Sequence, residues 1–413
     1  HAGGAVSGSG IVGTHDVGTA KVCTIAYKDC YYLKTNAASA ANGGTDAGIV
    51  AVNETVLRNL ADTLGEPYTD GGDENNNYPV FKWESSIYSF NGQGTISSPY
   101  QIGSADDLLK FSEYVSDRYL NAKFGNASYV QTADIDVSGI EFTPIGTVEA
   151  PFNGMYNGGY RTITGLTASG DNAGLFGTAK KIQIKNVIVY GSVSGTNNAG
   201  GLLGYASENA ELTQCAFYGD VNGENAGGLI GRLENNGKLT DCYQSGAIAG
   251  TTSGGLIGSF VCDTNASEES LTMVACYHGT GSVKSGAIGA VTGNTNAVYA
   301  ENIYYLKTSA SSAGYGTAVN ETVLKALSET LESPFVENVD ASLNSGYPVF
   351  SWQLSRYEFK GDGTAEEPYI IASAEDLIAM QEYVNDPSYN TTYGSAHYLQ
   401  VMDIDLGDMD WTA

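Results

Sequence analysis

Ala199-Gly200-Gly201-Leu202-Leu203-Gly204 recurs as Ala226-Gly227-Gly228-Leu229-Ile230-Gly231 and again as Ser253-Gly254-Gly255-Leu256-Ile257-Gly258, each step being 27 residues. Gly174-Leu175-Phe176-Gly177 lies one step earlier, and a weaker copy, Ser285-Gly286-Ala287-Ile288-Gly289, follows after an insertion around Thr264 to Ser270. A second column keeps step with the first: Asn186-Val187-Ile188, Gln214-Cys215-Ala216, Asp241-Cys242-Tyr243, Ala275-Cys276-Tyr277 and Asn302-Ile303-Tyr304. Short β-prone runs at a constant period, with Gly at fixed points, read as coils of a β-solenoid. Stacked coils place equivalent residues one above another at the strand spacing of ~4.8 Å, so apolar columns become interior ladders. Gly then recurs where the chain turns sharply or where backbones approach closely. A helical reading fails, because each apolar run is only two or three residues between glycines.

A longer period encloses the short one. Tyr304 to Thr308 repeats Tyr31 to Thr35, and Asn320 to Leu324 repeats Asn53 to Leu57. Tyr347 to Phe350 with Trp352 repeats Tyr78 to Phe81 with Trp83, and Asp403-Ile404-Asp405 repeats Asp134-Ile135-Asp136. The offsets lie between 267 and 273, so one unit is about 270 residues and the chain carries about one and a half of them.

Two helical segments interrupt the coils in each unit. Leu57, Leu60 and Leu64 share one helical face, as do Leu324, Leu327 and Leu331. Ser104 with Asp107, and Ser373 with Asp376, have the spacing of an N-terminal capping box. Solenoid ends expose unpaired strand edges, so these segments are read as caps. The expected organisation is 1–30 as the final coils of a preceding unit, and 31–92 as closing cap and linker with a helix near 54–65. A start cap follows at 93–130 with a helix near 105–117, then the solenoid at 131–303. A second closing cap and linker occupies 304–361 with a helix near 321–332, and 362–413 is the start cap of a following unit.

Composition agrees and narrows the function. Gly is 53 of 413 residues, against a usual ~7%, and only 16% of residues are charged, against a usual ~25%. Nine Pro without a triplet period exclude collagen, and 42% hydrophobic residues exclude disorder. A net charge of −27 argues against nucleic acid and anionic lipid surfaces as partners. No run approaches the ~20 apolar residues of a membrane span, so no membrane insertion is expected. The chain starts at His1 with no apolar leader, and a secretion signal is expected to be removed or to lie outside it.

The Gly-Leu-hydrophobic-Gly cores resemble the GLUG-motif family of bacterial cell-surface proteins. Gly201, Leu202 and Gly204, Gly228, Leu229 and Gly231, and Gly255, Leu256 and Gly258 carry the likeness. Pro144-Ile145-Gly146, Phe152-Asn153-Gly154 and Tyr160 to Leu166 extend it over nearly the whole chain. The resemblance implies a right-handed parallel β-helix on a secreted or surface-anchored protein, often an adhesin.

Chemistry is sparse. The four His (His1, His15, His278, His397) form no spaced metal cluster, and no phosphate loop or nucleophile elbow is present. Asp134 and Asp136, copied at Asp403 and Asp405, are the best acidic pairs. On a strand, i and i+2 share a face, so each pair is read either as solvent-facing residues flanking a buried Ile or as a structural Ca²⁺ or sugar contact. Asp70, Asp73 and Glu74 form a second acidic loop without EF-hand spacing. Cys215, Cys242 and Cys276 share a column with Val187 and Ile303, which marks them as buried free thiols. Cys23 and Cys30 are close enough to bridge if the chain doubles back, and Cys262 has no evident partner. Sequons begin at Asn53, Asn126, Asn265, Asn320 and Asn390, of which Asn53 and Asn320 stand where a helix cap is expected. Tyr190, Tyr218, Tyr243 and Tyr277 recur near the Cys column, as a stacked ladder or as a sugar-binding stripe.

The expectation is therefore a non-enzymatic, extracellular or cell-surface repeat protein without a cofactor. It would form a stalk, fibre or filament by head-to-tail continuation or self-association, with a host glycan or protein as ligand. The alternative is a carbohydrate-binding or carbohydrate-active β-helix.

Overall fold

The computed structural model describes residues 30–33, 49–65, 68–69, 78–81, 88–265, 269–312, 314–338, 343–354, 359–385, 390 and 392–406. The expected coils within 1–29, the Cys23 thiol and the acidic loop of Asp70, Asp73 and Glu74 lie outside these residues. The chain divides into two compact units, residues 1–89 with 117–123, and residues 90–116 with 124–413.

The second unit is mainly β and solenoid-like. Phe176, Leu203, Ile230, Ile257 and Ile288 pair in succession on parallel strands, each one coil beyond the last. Val187, Cys215, Cys242, Cys276 and Ile303 do the same. The sequence period is thus the coil, and the longer step from Cys242 to Cys276 contains the Thr264 to Ser270 insertion. All ten side chains are buried. Each contributes about 1.5–3 kcal/mol by leaving water, so the two ladders form the spine of the core. Each coil turns through several faces, so the 25-residue strand Phe176–Gly200 pairs with several strands of the next coil.

The glycines of the repeat are explained by close approach. Gly201 N–H donates to the Gly228 carbonyl at 3.2 Å, and Gly255 N–H to that of Gly286 at 2.6 Å. A Cβ on Gly228 would stand 2.2 Å from the Gly255 carbonyl oxygen, and one on Gly231 2.6 Å from the Ala199 nitrogen. None of these positions has a left-handed backbone. The left-handed corner before the Cys column is held instead by Asn186, Gln214, Asp241, Ala275 and Asn302, with φ between 52° and 57°. At this corner packing of the coils imposes a conformation costing about 1–2 kcal/mol per residue.

Segments 269 residues apart share local geometry. In the start cap, Phe90, Tyr100, Tyr114, Phe124 and Tyr129 form one aromatic cluster; Phe359, Tyr369, Tyr383, Tyr393 and Tyr398 form another with the same offsets. The ring pairs agree closely: Tyr100 and Tyr129 are 5.5 Å apart at 50°, and Tyr369 and Tyr398 are 5.6 Å apart at 49°. The helices Ala105–Ser116 and Ala374–Asn385 begin with the expected caps: Asp107 N–H donates to Ser104 Oγ and Asp376 N–H to Ser373 Oγ, both at 3.1 Å. The first unit has its own counterpart. Cys30–Leu33 pairs with Ile49–Val52, Asn53 caps Glu54–Arg58, and Tyr68–Thr69 pairs with Val80–Phe81. Val298–Leu306, Thr317–Val319, the Asn320-capped helix Glu321–Lys325, and Phe335–Val336 with Val349–Phe350 repeat that order. The single helices expected near 54–65 and 321–332 are each two short ones, Glu54–Arg58 with Ala61–Leu64 and Glu321–Lys325 with Ser328–Leu331.

Candidate functional site

Alternation along a strand sends residues on either side of the inward Phe217 column outward. Two outward columns result. Thr162, Ile188, Ala216, Tyr243, Tyr277 and Tyr304 form one; Tyr190, Tyr218 and Ser245 form the other, two residues further along. The single tyrosine stripe expected from the sequence is therefore split. Tyr190 stacks on Tyr218 at 4.6 Å and 5°, and Tyr243 on Tyr277 at 5.1 Å and 2°. Tyr218 and Tyr243, from different columns, meet edge to face at 5.6 Å and 86°.

A strap from the closing segment covers most of this face. Phe335 and Phe350 lie against Tyr243 at 6.1 and 5.0 Å, and Trp352 meets Tyr160 edge to face at 5.6 Å. Leu324, Leu327 and Leu331 join the same buried cluster. The closing segment thus runs along the side of the solenoid as well as following its last coil. Polar groups fasten it. Tyr243 OH donates to Gln353 Oε1 at 2.6 Å, Asn344 Nδ2 to Tyr277 OH at 2.6 Å, and Ser245 Oγ to Asn344 Oδ1 at 2.6 Å. Tyr277 OH also donates to the Pro348 carbonyl. Burial pushes the Tyr243 and Tyr277 phenols well above their ordinary range, so both remain hydrogen-bond donors.

At the Tyr190 end the aromatic cover gives way to a cleft of about 320 Å³, whose walls include Asp134, Thr162, Ile188, Tyr190, Trp352 and Gln353. Asp134 is the one acidic candidate that reaches it. Its Oδ1 accepts from Thr162 N–H at 2.7 Å and Thr162 Oγ at 3.1 Å. Asp136 lies beyond the buried Ile135, and the Ser138 side chain together with the Ser138 N–H, which donates to it at 2.8 Å, lowers its carboxyl. Asp403 and Asp405 are exposed on either side of Ile404. Among the described residues no group of three or more His, Cys, Asp or Glu is placed to hold a metal ion.

The structure places the remaining candidates in the scaffold. Leu202, Leu229 and Leu256 are fully buried. Cys215, Cys242 and Cys276 are buried free thiols, as is Cys262, and burial pushes the Cys215 and Cys276 thiols up. Asn53 and Asn320 cap their helices by accepting from Val56 and Val323 N–H, both at 2.9 Å. Asn126 and Asn390 are exposed, and so is Asn265. Sequence reasoning missed Gln353 and Asn344, whose partners lie about a hundred residues away. It also missed His278 in its interior role: His278 Nδ1–H donates to Gln244 Oε1 at 2.7 Å inside the coil. The signal for the strap was the recurrence of Tyr347 to Phe350 and Trp352 as copies of Tyr78 to Phe81 and Trp83.

No family model matches the chain. A stretch of 168 residues is 30% identical to Halomucin of Haloquadratum walsbyi, a match covering 30% of this chain and 2% of that protein. Among solved structures, a Bacteroides ovatus protein provisionally described as an immunoglobulin A1 protease is similar with a TM-score of 0.45 and 18% identity. That likeness covers 65% of this chain and 96% of the other. Among the described residues no helix is long and apolar enough to cross a membrane.

Proposed function

We propose that the chain belongs to an extracellular structural or adhesive protein, in which right-handed β-solenoid units follow one another in tandem as a stalk, fibre or filament. The observation that carries this reading is the duplicated start cap, whose five aromatics recur with matching ring geometry 269 residues apart. A cap that recurs with its geometry intact is a modular part, and a rod built of such parts grows by whole units. The GLUG-like cores and the net charge of −27 support a surface-exposed, soluble array. Similarity to Halomucin, by name a mucin, supports the extracellular placement. In this reading the solenoid is a scaffold rather than an enzyme, and its partners are neighbouring units, joined covalently or between subunits, and a glycan or protein on another surface.

Electron microscopy of proteins containing one, two and three complete units provides the test. Particle length should rise by a fixed increment per unit. Compact particles whose longest dimension does not grow with unit number would reject the rod.

A further inference from the structure

A rod explains the buried tyrosines but not the cleft beside Tyr190. We infer that this cleft binds one uncharged pyranose ring of a glycan, stacked on Tyr190 and hydrogen-bonded to Asp134 and Gln353. This goes beyond the rod reading, and its failure would leave that reading intact.

Tyr218, from the following coil, covers one face of Tyr190 at 4.6 Å, with the rings 5° from parallel. Of the other walls, Thr162 and Asp134 come from preceding coils and Trp352 and Gln353 from the strap. The cleft therefore lies beside Tyr190, between the preceding coils and the strap. Thr162, the small residue that pairs with Ile188 in the neighbouring column, forms one of its walls. A pyranose presents a C–H face that suits the negative face of an aromatic ring, with hydroxyls around its rim.

The polar groups stand at that rim and are held in advance. Asp134 is fixed by its two bonds from Thr162. Gln353 Oε1 accepts from Phe350 N–H at 2.8 Å and from Tyr243 OH at 2.6 Å, which orients its carboxamide. A carboxylate accepting from sugar hydroxyls forms charge-assisted bonds, whereas an anionic sugar would be repelled by it and by a chain of net charge −27. A volume of about 320 Å³ lies at the small end of ligand sites, which fits one ring rather than an extended oligosaccharide.

The test uses the full chain in saturation-transfer NMR with methyl glycosides of glucose, galactose, mannose and N-acetylglucosamine. At least one glycoside should bind with a Kd of about 1–10 mM, the range for a single-ring contact. Tyr190→Ala should weaken it at least about tenfold by removing the platform, while Tyr190→Phe should stay within about twofold. Thr162→Tyr should abolish binding by filling the cleft with an aromatic side chain. If circular dichroism shows Tyr190→Ala to be unfolded, Thr162→Tyr decides. Absence of binding by all four glycosides overturns the inference, as does undiminished binding in a folded Tyr190→Ala or Thr162→Tyr protein.

Discussion

The hydroxyls of Tyr218 and Tyr243 stand 2.7 Å apart although their rings are 86° from parallel. Each ring belongs to a different outward column, and each stacks on the tyrosine of its own column. Because Tyr243 OH donates to Gln353 Oε1, the hydroxyl between the rings is donated by Tyr218. Tyr243→Phe keeps the ring and removes both bonds, so it should cost about 1–3 kcal/mol in urea unfolding. Gln353→Ala should cost a similar amount, and the double variant less than the sum, because both remove one shared network.

Glycine substitutions should separate close approach from backbone conformation. Gly228→Ala places a methyl 2.2 Å from the Gly255 carbonyl oxygen, so neighbouring coils must move apart. Its cost should exceed about 3 kcal/mol. Gly139 has φ +76° with open space where its Cβ would stand. Gly139→Ala should cost only about 1–2 kcal/mol, the price of the left-handed backbone. Guanidinium midpoints for the two variants would decide between these outcomes.

The Cys column should behave as a hydrocarbon ladder. Cys242→Val puts into the column the residue already present at Val187, and should change stability by less than about 1.5 kcal/mol. Cys242→Ser buries a hydroxyl at the same site and should cost about 1–3 kcal/mol. A thiol-reactive dye should leave Cys215, Cys242 and Cys276 unmodified in the native protein and react fully once it is unfolded.

Half-buried Asp241 and buried His278 give opposite pH dependences. Desolvation raises the Asp241 carboxyl from 3.8 to about 7. A raised folded value means that its contribution is complete below about 3.8 and is lost as pH climbs through about 7. Burial lowers the His278 imidazole from 6.5 to about 4. That contribution is complete above about 6.5 and is lost as pH falls through about 4. Between these limits the two partly cancel. Asp241→Asn should therefore leave Tm rising with pH between about 4 and 6.5, and His278→Gln should leave Tm falling as pH climbs toward about 7. Thermal melts from about pH 4 to pH 8 in which neither variant differs in slope from the parent would refute both assignments.

Much of the fold was legible because a solenoid writes its geometry into the sequence as a period. Cys215, Cys242 and Cys276 are one column in the sequence and one ladder in space. Asn320 announced its helix by position, and Ser373 with Asp376 announced another, because a cap is a local hydrogen bond. The tyrosines were less legible. A two-residue offset between Tyr218 and Tyr243 is small beside a 27-residue period, yet it moves the ring to a different column. The glycines were half legible: their recurrence was plain, but whether a given glycine serves a turn or a close approach depends on the neighbouring coil.

By itself the sequence determined coil length, the interior ladders and the recurrence of whole caps, since each depends on residue type at a fixed spacing. Only the tertiary structure decided what covers the tyrosine face and where that cover stops. Tyr243 and Gln353 are 110 residues apart, and nothing periodic connects them. The cleft beside Tyr190 exists because Thr162 is small and the strap residues Trp352 and Gln353 line the space without filling it. Such a hollow is a property of surfaces brought together by folding, and no single stretch of chain encodes it.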